Sequence, residues 1–319
     1  MATADQLKSL VKAHIDQDNE RFKTVVLQIA AAEARQGHTT IARELKELLE
    51  KSAARKGKIL SFNNQNQLLL MSMPDRKLSE LIVSDEIRER IERILVEFRN
   101  RKKLGKYGMM NRRKILIEGN PGTGKTLTAS IIASELGLPL FTIQMDKLVT
   151  KFMGETSVKL RQIFDSIESV TGVYLFDEFD AIGADRSMDN EVGEMRRVLN
   201  SFLQFIEQDD SESIIIAATN NHKILDMALF RRFDDVLHYA LPTTTELAQL
   251  FASKLAAFAD GFFVSDELLE KAATLSHAEI TRICDDAIKS AILSDTNTIS
   301  DKDLIRIIDE RLVVYQRRA

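Results

Sequence analysis

Apolar positions change their spacing twice along the chain. In residues 1–54 they recur at helical intervals, and Gly37 separates two such runs. This pattern predicts a small helical domain, suited either to binding a substrate or partner or to capping the main domain. Residues 55–78 mix charges, amides and a proline without steady periodicity, so we predict a linker there. The tract LLLMSM within it is too apolar to lie free in solvent.

From about Leu81 onward, short apolar runs alternate with segments of helical spacing. Continuous apolar strands of this kind are typical of a parallel sheet that is covered on both faces. The five predicted strands are 114–118, 140–145, 173–177, 213–219 and 236–240. After Pro242 the strands stop and four helical segments follow. We therefore expect an α/β domain over 79–242 and a small helical domain over 243–319.

The composition is that of an ordinary soluble globular protein. The 319 residues include 44 basic and 48 acidic ones, a balance that argues against a dedicated nucleic-acid-binding protein. No apolar run approaches the ~20 residues that span a bilayer. The only cysteine, Cys284, excludes an internal disulfide and suits a reducing compartment. We predict a cytoplasmic protein with no membrane partner and no nucleic-acid partner.

The strongest chemical signal is a glycine-rich segment between a strand and a helix. The strand KILIE runs into GNPGTGKT and then into TLTASIIASELG, which fits the pattern G-x-x-x-x-G-K-[ST] in its required context. Glycines let backbone N–H groups converge on a polyanion, and the following helix directs its positive end at the phosphates. We expect this segment to bind ATP through Gly119, Asn120, Pro121, Gly122, Thr123, Gly124, Lys125, Thr126 and Leu127. The Thr126 hydroxyl is also suited to hold Mg²⁺.

Carboxylates follow another buried strand in VYLFDEFD. Four apolar residues deliver Asp177 and Glu178 to the carboxyl end of the strand, where α/β sheets place their ligands. Asp177 is suited to the Mg²⁺ shell. Glu178 is suited to polarise an attacking water, because it has no phosphate charge to pair with. The two residues together therefore predict a hydrolytic site.

Two further polar motifs lie downstream. Asn220 ends the strand AAT and could orient the water or the γ-phosphate, or could merely cap the strand end. In ALFRRFDD, Arg231 and Arg232 are adjacent. Their ordinary role would be a surface ion pair, and their catalytic role would be that of an arginine finger on a transferring phosphoryl group.

In their order and spacing, GNPGTGKT, LFDEFD, ATN and LDMALFRRFD resemble the AAA clade of AAA+ ATPases, which are P-loop NTPases, over roughly residues 80–312. The resemblance implies a five-stranded parallel core with a helical lid. It also implies a ring, usually a hexamer, in which nucleotide lies between neighbours and Arg231 and Arg232 act on the next protomer's ATP. His277 and Ala278, in LSHAEI, are then expected beside the adenine or ribose.

The same resemblance gives a role to KFMGET. In the family an aromatic–hydrophobic–Gly loop lines the central pore and contacts an extended polypeptide. Here that position corresponds to Lys151, Phe152, Met153 and Gly154. A flat ring and a flexible thioether suit varied side chains. The alternative is that Phe152 packs on its own helix.

The most direct functional prediction is an ATP-driven ring that remodels or threads protein substrates. One alternative is a switch that binds ATP to regulate a partner enzyme without threading. Another is a nucleic-acid-remodelling ATPase, which the acidic balance disfavours. The compact layout is also similar to small bacterial AAA proteins encoded beside subtilisin-like proteases, some in phage-defence pairs, which would make such a protease a partner.

Overall fold

In the computed structural model, the chain forms two compact units, Met1–Ile59 and Leu60–Ala319. In the first unit only Val26 and Ala30 are described, and both are helical and buried. In the second unit the structure describes residues 68–148, 155–182, 189–220, 230–256, 258, 262–296 and 298–316. All elements below belong to the second unit.

A six-stranded sheet forms the centre of this unit, with the strands in the order β1-β3-β4-β5-β2-β6. The strands are β1 Leu69–Ser72, β2 Lys114–Gly119, β3 Leu140–Ile143, β4 Val173–Phe176, β5 Ile214–Thr219 and β6 Asp235–Tyr239. Strands β2 to β6 pair in parallel with one another. The predicted five-stranded parallel core is therefore confirmed.

The prediction that all of residues 55–78 are a linker is wrong for its last part. Strand β1 lies in the apolar tract LLLMSM and pairs antiparallel with β3, with Leu69 opposite Ile143 and Ser72 opposite Leu140. Leu69 is buried in the core on one face of the sheet. A short 3₁₀ helix, Leu78–Glu80, follows. The apolar tract is too short for a clear two-residue alternation, so its sequence alone does not show the sheet edge.

Ten α-helices accompany the sheet within the described residues. They are α1 Asp85–Arg99, α2 Arg101–Gly105, α3 Lys125–Leu136, α4 Met145–Leu148, α5 Glu155–Ser169, α6 Asp189–Gln208, α7 Thr244–Leu255, α8 Asp266–Ala272, α9 His277–Leu293 and α10 Asp301–Gln316. None of these helices combines the length and the apolarity needed to cross a membrane.

Each face of the sheet is buried by its own set of helices. Alternate residues of β2 point to opposite faces, so Ile115 and Ile117 join one core while Leu116 joins the other. Helices α1 and α3 cover the first face. Residues of α5 and α6 cover the second face, where Phe164, Phe176 and Phe202 are in mutual ring contact.

The last four helices, α7 to α10, pack around a separate apolar core and are called here the C-terminal bundle. All four begin at a hydroxyl residue whose side chain accepts a hydrogen bond from the first turn, namely Thr243, Ser265, Ser276 and Ser300. Cys284 is buried in this core.

Candidate functional site

Three neighbouring strands bring the glycine-rich loop, the two carboxylates and Asn220 to one cleft. β2 ends at Gly119 and α3 begins at Lys125. β4 ends immediately before Asp177, and β5 ends immediately before Asn220. Because these strands are parallel neighbours, their carboxyl ends meet at one edge of the sheet, which is where α/β folds bind ligands.

Lys125 is the most connected side chain of the cleft. Its ammonium donates hydrogen bonds to the carbonyl oxygens of Gly119 and Asn120 and to Oδ1 of Asn220, each at 2.8 Å. The side chain is buried, and burial lowers the pKa of the ammonium, an effect that the carboxylates of Asp177 and Asp180 oppose. These contacts hold a positive charge where the loop and β5 converge.

Thr126 and Asp177 provide an oxygen pair that fits Mg²⁺. The Thr126 hydroxyl donates to Oδ2 of Asp177 at 2.6 Å, so the two side chains already converge on one point. Hydroxyl, carboxylate and phosphate oxygens are the ligands that Mg²⁺ accepts, with water filling the remaining positions. The donor set therefore fits the ion that the sequence predicts.

Glu178 has a backbone conformation that few residues other than glycine adopt. Its φ is +52°, in the left-handed region, and its N–H donates to Oδ1 of Asp177 at 3.0 Å. Strain of this kind persists where the surrounding structure enforces it, often at functional sites. The side chain is exposed and lines the cleft.

Asp180 is a site residue that the sequence reasoning missed. Its Oδ1 accepts a hydrogen bond from the Asn220 N–H at 3.2 Å and from the Thr219 hydroxyl at 3.3 Å. It thereby ties the end of β5 to the segment after β4 and fixes Asn220 beside Lys125. The last acid of the motif LFDEFD was the available signal.

The loop after β2 is shaped by glycine where another chain segment comes close. Gly122 has a φ of +76°, and a methyl group on it would lie 2.6 Å from Oγ of Ser276 and 3.1 Å from Cβ of Ala278. The Ala278 N–H donates to the Gly122 carbonyl at 2.9 Å. Gly122 therefore permits direct contact between the loop and the start of α9.

Replacing Gly122 with alanine is expected to weaken ATP binding by about tenfold or more, because α9 must move away from the loop. Gly137→Ala is the matched control. Gly137 also has a positive φ, +65°, but a methyl group there would meet nothing within 4 Å. Titration with a fluorescent ATP analogue measures both affinities. Equal losses in the two variants would show that backbone strain, not the contact with α9, is responsible.

A cavity of about 380 Å³ extends from this loop toward the C-terminal bundle. Its far end is lined by residues from three separate parts of the chain, Leu81, Ile82, Leu250, Lys254, His277, Ala278 and Thr281. His277 and Ala278, which the family resemblance places beside the adenine or ribose, thus line the same cavity as the loop after β2. Most of the other residues at this end are ordinary apolar ones, so no sequence signal marks them.

His277 presents unused hydrogen-bonding capacity to this cavity. Both of its ring nitrogens are buried without a hydrogen-bond partner among the described residues. Burial lowers the pKa of the imidazole, while the Glu246 carboxylate and the nearby Ile82 backbone oppose the shift. A neutral imidazole has one donor and one acceptor, which fits a base edge or a sugar hydroxyl.

Arg231 and Arg232 lie at the opposite end of the sheet from the cleft. They closely precede Asp234, whose N–H donates to the carbonyl of Lys114, the first residue of β2, at 2.8 Å. Gly119 ends the same strand roughly 16 Å away, at about 3.3 Å per residue. Both arginines are exposed, and Arg232 pairs with Glu207 at 3.1 Å. Neither side chain belongs to the cleft of its own chain.

The predicted pore-loop residues, Lys151, Phe152, Met153 and Gly154, lie outside the described residues. Their role remains a prediction.

Comparison with known proteins defines the class of this fold and site. The sequence model of the ATPase family associated with various cellular activities (AAA) matches residues 115–241. An uncharacterised AAA family ATPase of Sinorhizobium fredii is 31% identical over 320 residues, covering 97% of this chain and 96% of the relative. The chain therefore belongs to the AAA family, and it is an ATPase.

Two further relatives have more specific names. A putative 26S proteasome regulatory subunit homolog of Methanocaldococcus jannaschii is 28% identical over 253 residues, covering 77% of this chain and 67% of the relative. The ATP-dependent zinc metalloprotease FtsH of Parabacteroides distasonis is 29% identical over 274 residues, covering 82% of this chain but 40% of the protease.

Proposed function

We propose that the protein is an ATP-hydrolysing, ring-forming AAA ATPase that remodels, unfolds or threads protein substrates through a central pore. The observation that carries this proposal is the separation of the catalytic groups. Lys125, Asp177 and Glu178 lie in one cleft, whereas Arg231 and Arg232 lie at the other end of the sheet. A contact between different surfaces of two copies closes into a ring when the rotation permits. We infer a hexamer from the family resemblance.

Within one protomer the cleft would bind ATP and orient the reacting water. Lys125 would exchange its carbonyl partners for phosphate oxygens, and the loop N–H groups would contact the same anion. Mg²⁺, held by Thr126 and Asp177, would neutralise phosphate charge. Glu178 would accept the proton of the water, and Asn220, fixed beside Lys125, would orient that water or sense the terminal phosphate.

The two arginines that we propose act between protomers differ in their ion pairing within one chain. Arg232 is engaged by Glu207, whereas Arg231 has no ion-pair partner among the described residues. We therefore assign Arg231 the contact with the neighbour's phosphates and Arg232 a supporting part at the interface. A guanidinium on a transferring phosphoryl group contributes about 10³–10⁵ in turnover.

The proposal that each site combines the cleft of one protomer with the arginines of another can be tested by mixing two inactive variants. Lys125→Ala protomers keep their arginines, and Arg231→Ala/Arg232→Ala protomers keep their cleft. Each variant alone is expected to be inactive. An equal mixture should recover ATPase activity at up to about one quarter of the interfaces, namely those where an intact cleft meets intact arginines. The release of phosphate measures the recovery.

The control mixes Lys125→Ala with Glu178→Gln, since both changes damage the cleft and no combination of these subunits restores it. Recovery in this control, or none in the test mixture at any subunit ratio, would contradict a site shared between protomers.

A protein substrate is supported by the names of two relatives, one a proteasome regulatory subunit homolog and one an ATP-dependent protease. We propose that Phe152 and Met153 contact the threaded chain. Phe152→Ala is then expected to abolish unfolding of a fluorescent reporter protein while ATPase activity stays within about twofold. Phe152→Tyr keeps an aromatic ring and should retain unfolding. A ring that only regulates a partner enzyme would tolerate both changes.

Finer assignments rest on the sequence alone. We propose that residues 1–54 select the substrate or partner, that 79–242 and 243–319 act as separate ATPase and lid domains, and that the protein works in the cytoplasm. We also propose, on the resemblance stated above, that its partner is a subtilisin-like protease acting in phage defence. Purification of the ATP-bound Glu178→Gln variant from its native cells would identify that partner.

A further inference from the structure

Tyr239, the last residue of β6, adjoins both ends of the loop between β2 and α3. It lies opposite Gly119 in the β2–β6 ladder, so close that a methyl group on Gly119 would come within 2.1 Å of the Tyr239 carbonyl oxygen. At the other end of the loop, a methyl group on Gly124 would lie 4.0 Å from Cε1 of the tyrosine ring. Tyr239 is buried, with 4% of the residue exposed. A side chain outside the glycine-rich motif is therefore in place to shape that loop.

The tyrosine hydroxyl begins a short chain of buried hydrogen bonds that ends at the loop. It lies 2.6 Å from the hydroxyl of Thr128, in the first turn of α3, and the Thr128 hydroxyl donates to the Gly124 carbonyl at 3.1 Å. Because the threonine proton is used in that second bond, the tyrosine is the donor in the first. Burial raises the pKa of the Tyr239 phenol, which keeps the donor proton in place. Hydrogen bonds in series strengthen one another inside a protein.

This chain of bonds ends on a peptide group at the start of α3. The Gly124 carbonyl also accepts the Thr128 N–H at 2.9 Å, so Thr128 holds this oxygen with two bonds. Across a trans peptide the carbonyl and the following N–H point in opposite directions, so the Lys125 N–H points out of the start of the helix. N–H groups at the start of a helix are the ones that bind phosphate. Holding the carbonyl therefore fixes the direction of an N–H group that is suited to the anion.

We propose that Tyr239 is a positioning residue for nucleotide binding, which acts through Thr128 to hold the loop in its phosphate-binding shape before ATP arrives. A group that is already oriented loses less entropy when the ligand binds, so the contribution is to affinity. The proposal rests on the binding of ATP at this loop, as proposed above, and is independent of the ring, the arginines and the pore. It adds two residues that do not themselves line the cavity.

Removing either hydroxyl is expected to raise the KM for ATP about fivefold, as the loss of one buried hydrogen bond would, and to leave kcat within about twofold. The variants are Tyr239→Phe and Thr128→Val, which keep the ring and the branched shape. Steady-state ATPase assays at one protein concentration measure both constants. Tyr174→Phe is the matched control. Tyr174 is also buried, its hydroxyl donates to the carbonyls of Ser166 and Val170 at 2.9 and 2.8 Å, and it packs on the other face of the sheet. The control should leave the KM unchanged.

The double variant Thr128→Val/Tyr239→Phe separates positioning from a purely structural role. Each single variant leaves one buried hydroxyl without its partner and should unfold at a lower urea concentration, whereas the double variant replaces both hydroxyls and should recover most of the stability. If the pair serves the fold alone, the affinity for ATP recovers with the stability. We expect the KM of the double variant to stay raised about fivefold. A normal KM in the double variant, or in both single variants, would overturn the proposal.

Titration of Lys125→Ala and Tyr239→Phe with a fluorescent ATP analogue separates the two levels of inference. Lost binding in Lys125→Ala with normal binding in Tyr239→Phe would leave the nucleotide site standing and remove the role of Tyr239. Normal binding in both variants would remove the nucleotide site from this loop as well.

Discussion

Glu178→Gln is expected to lower the rate of ATP hydrolysis by about 10²–10⁴ while leaving the affinity for ATP nearly unchanged. The reason is the position of the side chain. Glu178 is exposed in the cleft, and its strained backbone is held by the bond from its own N–H to Asp177. Glutamine preserves the size and this backbone bond but removes the group that accepts the proton from water.

Single-turnover hydrolysis and titration with a fluorescent ATP analogue separate the two effects. Lys125→Ala is the comparison, because it removes the charge that faces the phosphates and should weaken binding itself. Glu178→Asp provides a finer control, since it keeps a carboxylate but withdraws it by one methylene and should retain part of the rate. A Glu178→Gln variant that hydrolyses ATP at the normal rate would assign the general base to another residue.

The sequence predicts most of this cleft because each buried parallel strand is a continuous run of apolar residues. Each of β2, β4 and β5 is an apolar run that stops at a polar motif, so the ends that carry Gly119, Asp177 and Asn220 can be located without coordinates. The order of the strands in the sheet cannot be read from their order in the sequence. The order places β5 between β4 and β2, which is why Asn220 reaches Lys125.

Other parts of the site depend on contacts between distant segments. Asp180 acts by holding the end of β5, and the same acid could equally have been a surface residue. The far end of the cavity combines apolar residues such as Ile82 and Leu250, which look like ordinary core positions in the sequence. β1 was predicted as linker because a four-residue edge strand has no periodicity long enough to identify it.

The position of the two arginines also follows only from the structure. Their neighbour Asp234 receives hydrogen bonds from the N–H groups of Arg113 and Lys114, each at 2.9 Å, which fixes this segment at the start of β2. From the sequence, an arginine pair near a strand could lie at either end of the sheet. Its place at the amino end is what supports the proposal that these arginines act on a second protomer.

A buried ion pair holds this end of the sheet together, and breaking it is expected to have the largest effect on stability. Arg113, just before β2, donates to the side chain and the backbone carbonyl of Asp209, just after α6, and both residues are almost fully buried. Asp209→Ala would leave the guanidinium buried without its carboxylate. We expect the free energy of unfolding to fall by about 3–5 kcal/mol.

Urea unfolding measures the loss, and a surface pair provides the matched control. Glu212 pairs with Arg101 at 3.1 Å and is 61% exposed, so Glu212→Ala should cost no more than about 1 kcal/mol. A double variant, Arg113→Met/Asp209→Leu, should recover most of the stability, because apolar groups of similar volume replace both charges. If Asp209→Ala were as stable as Glu212→Ala, the buried ion pair would not hold the segment that positions Arg231. The role proposed for Arg231 at the interface would then need other structural support.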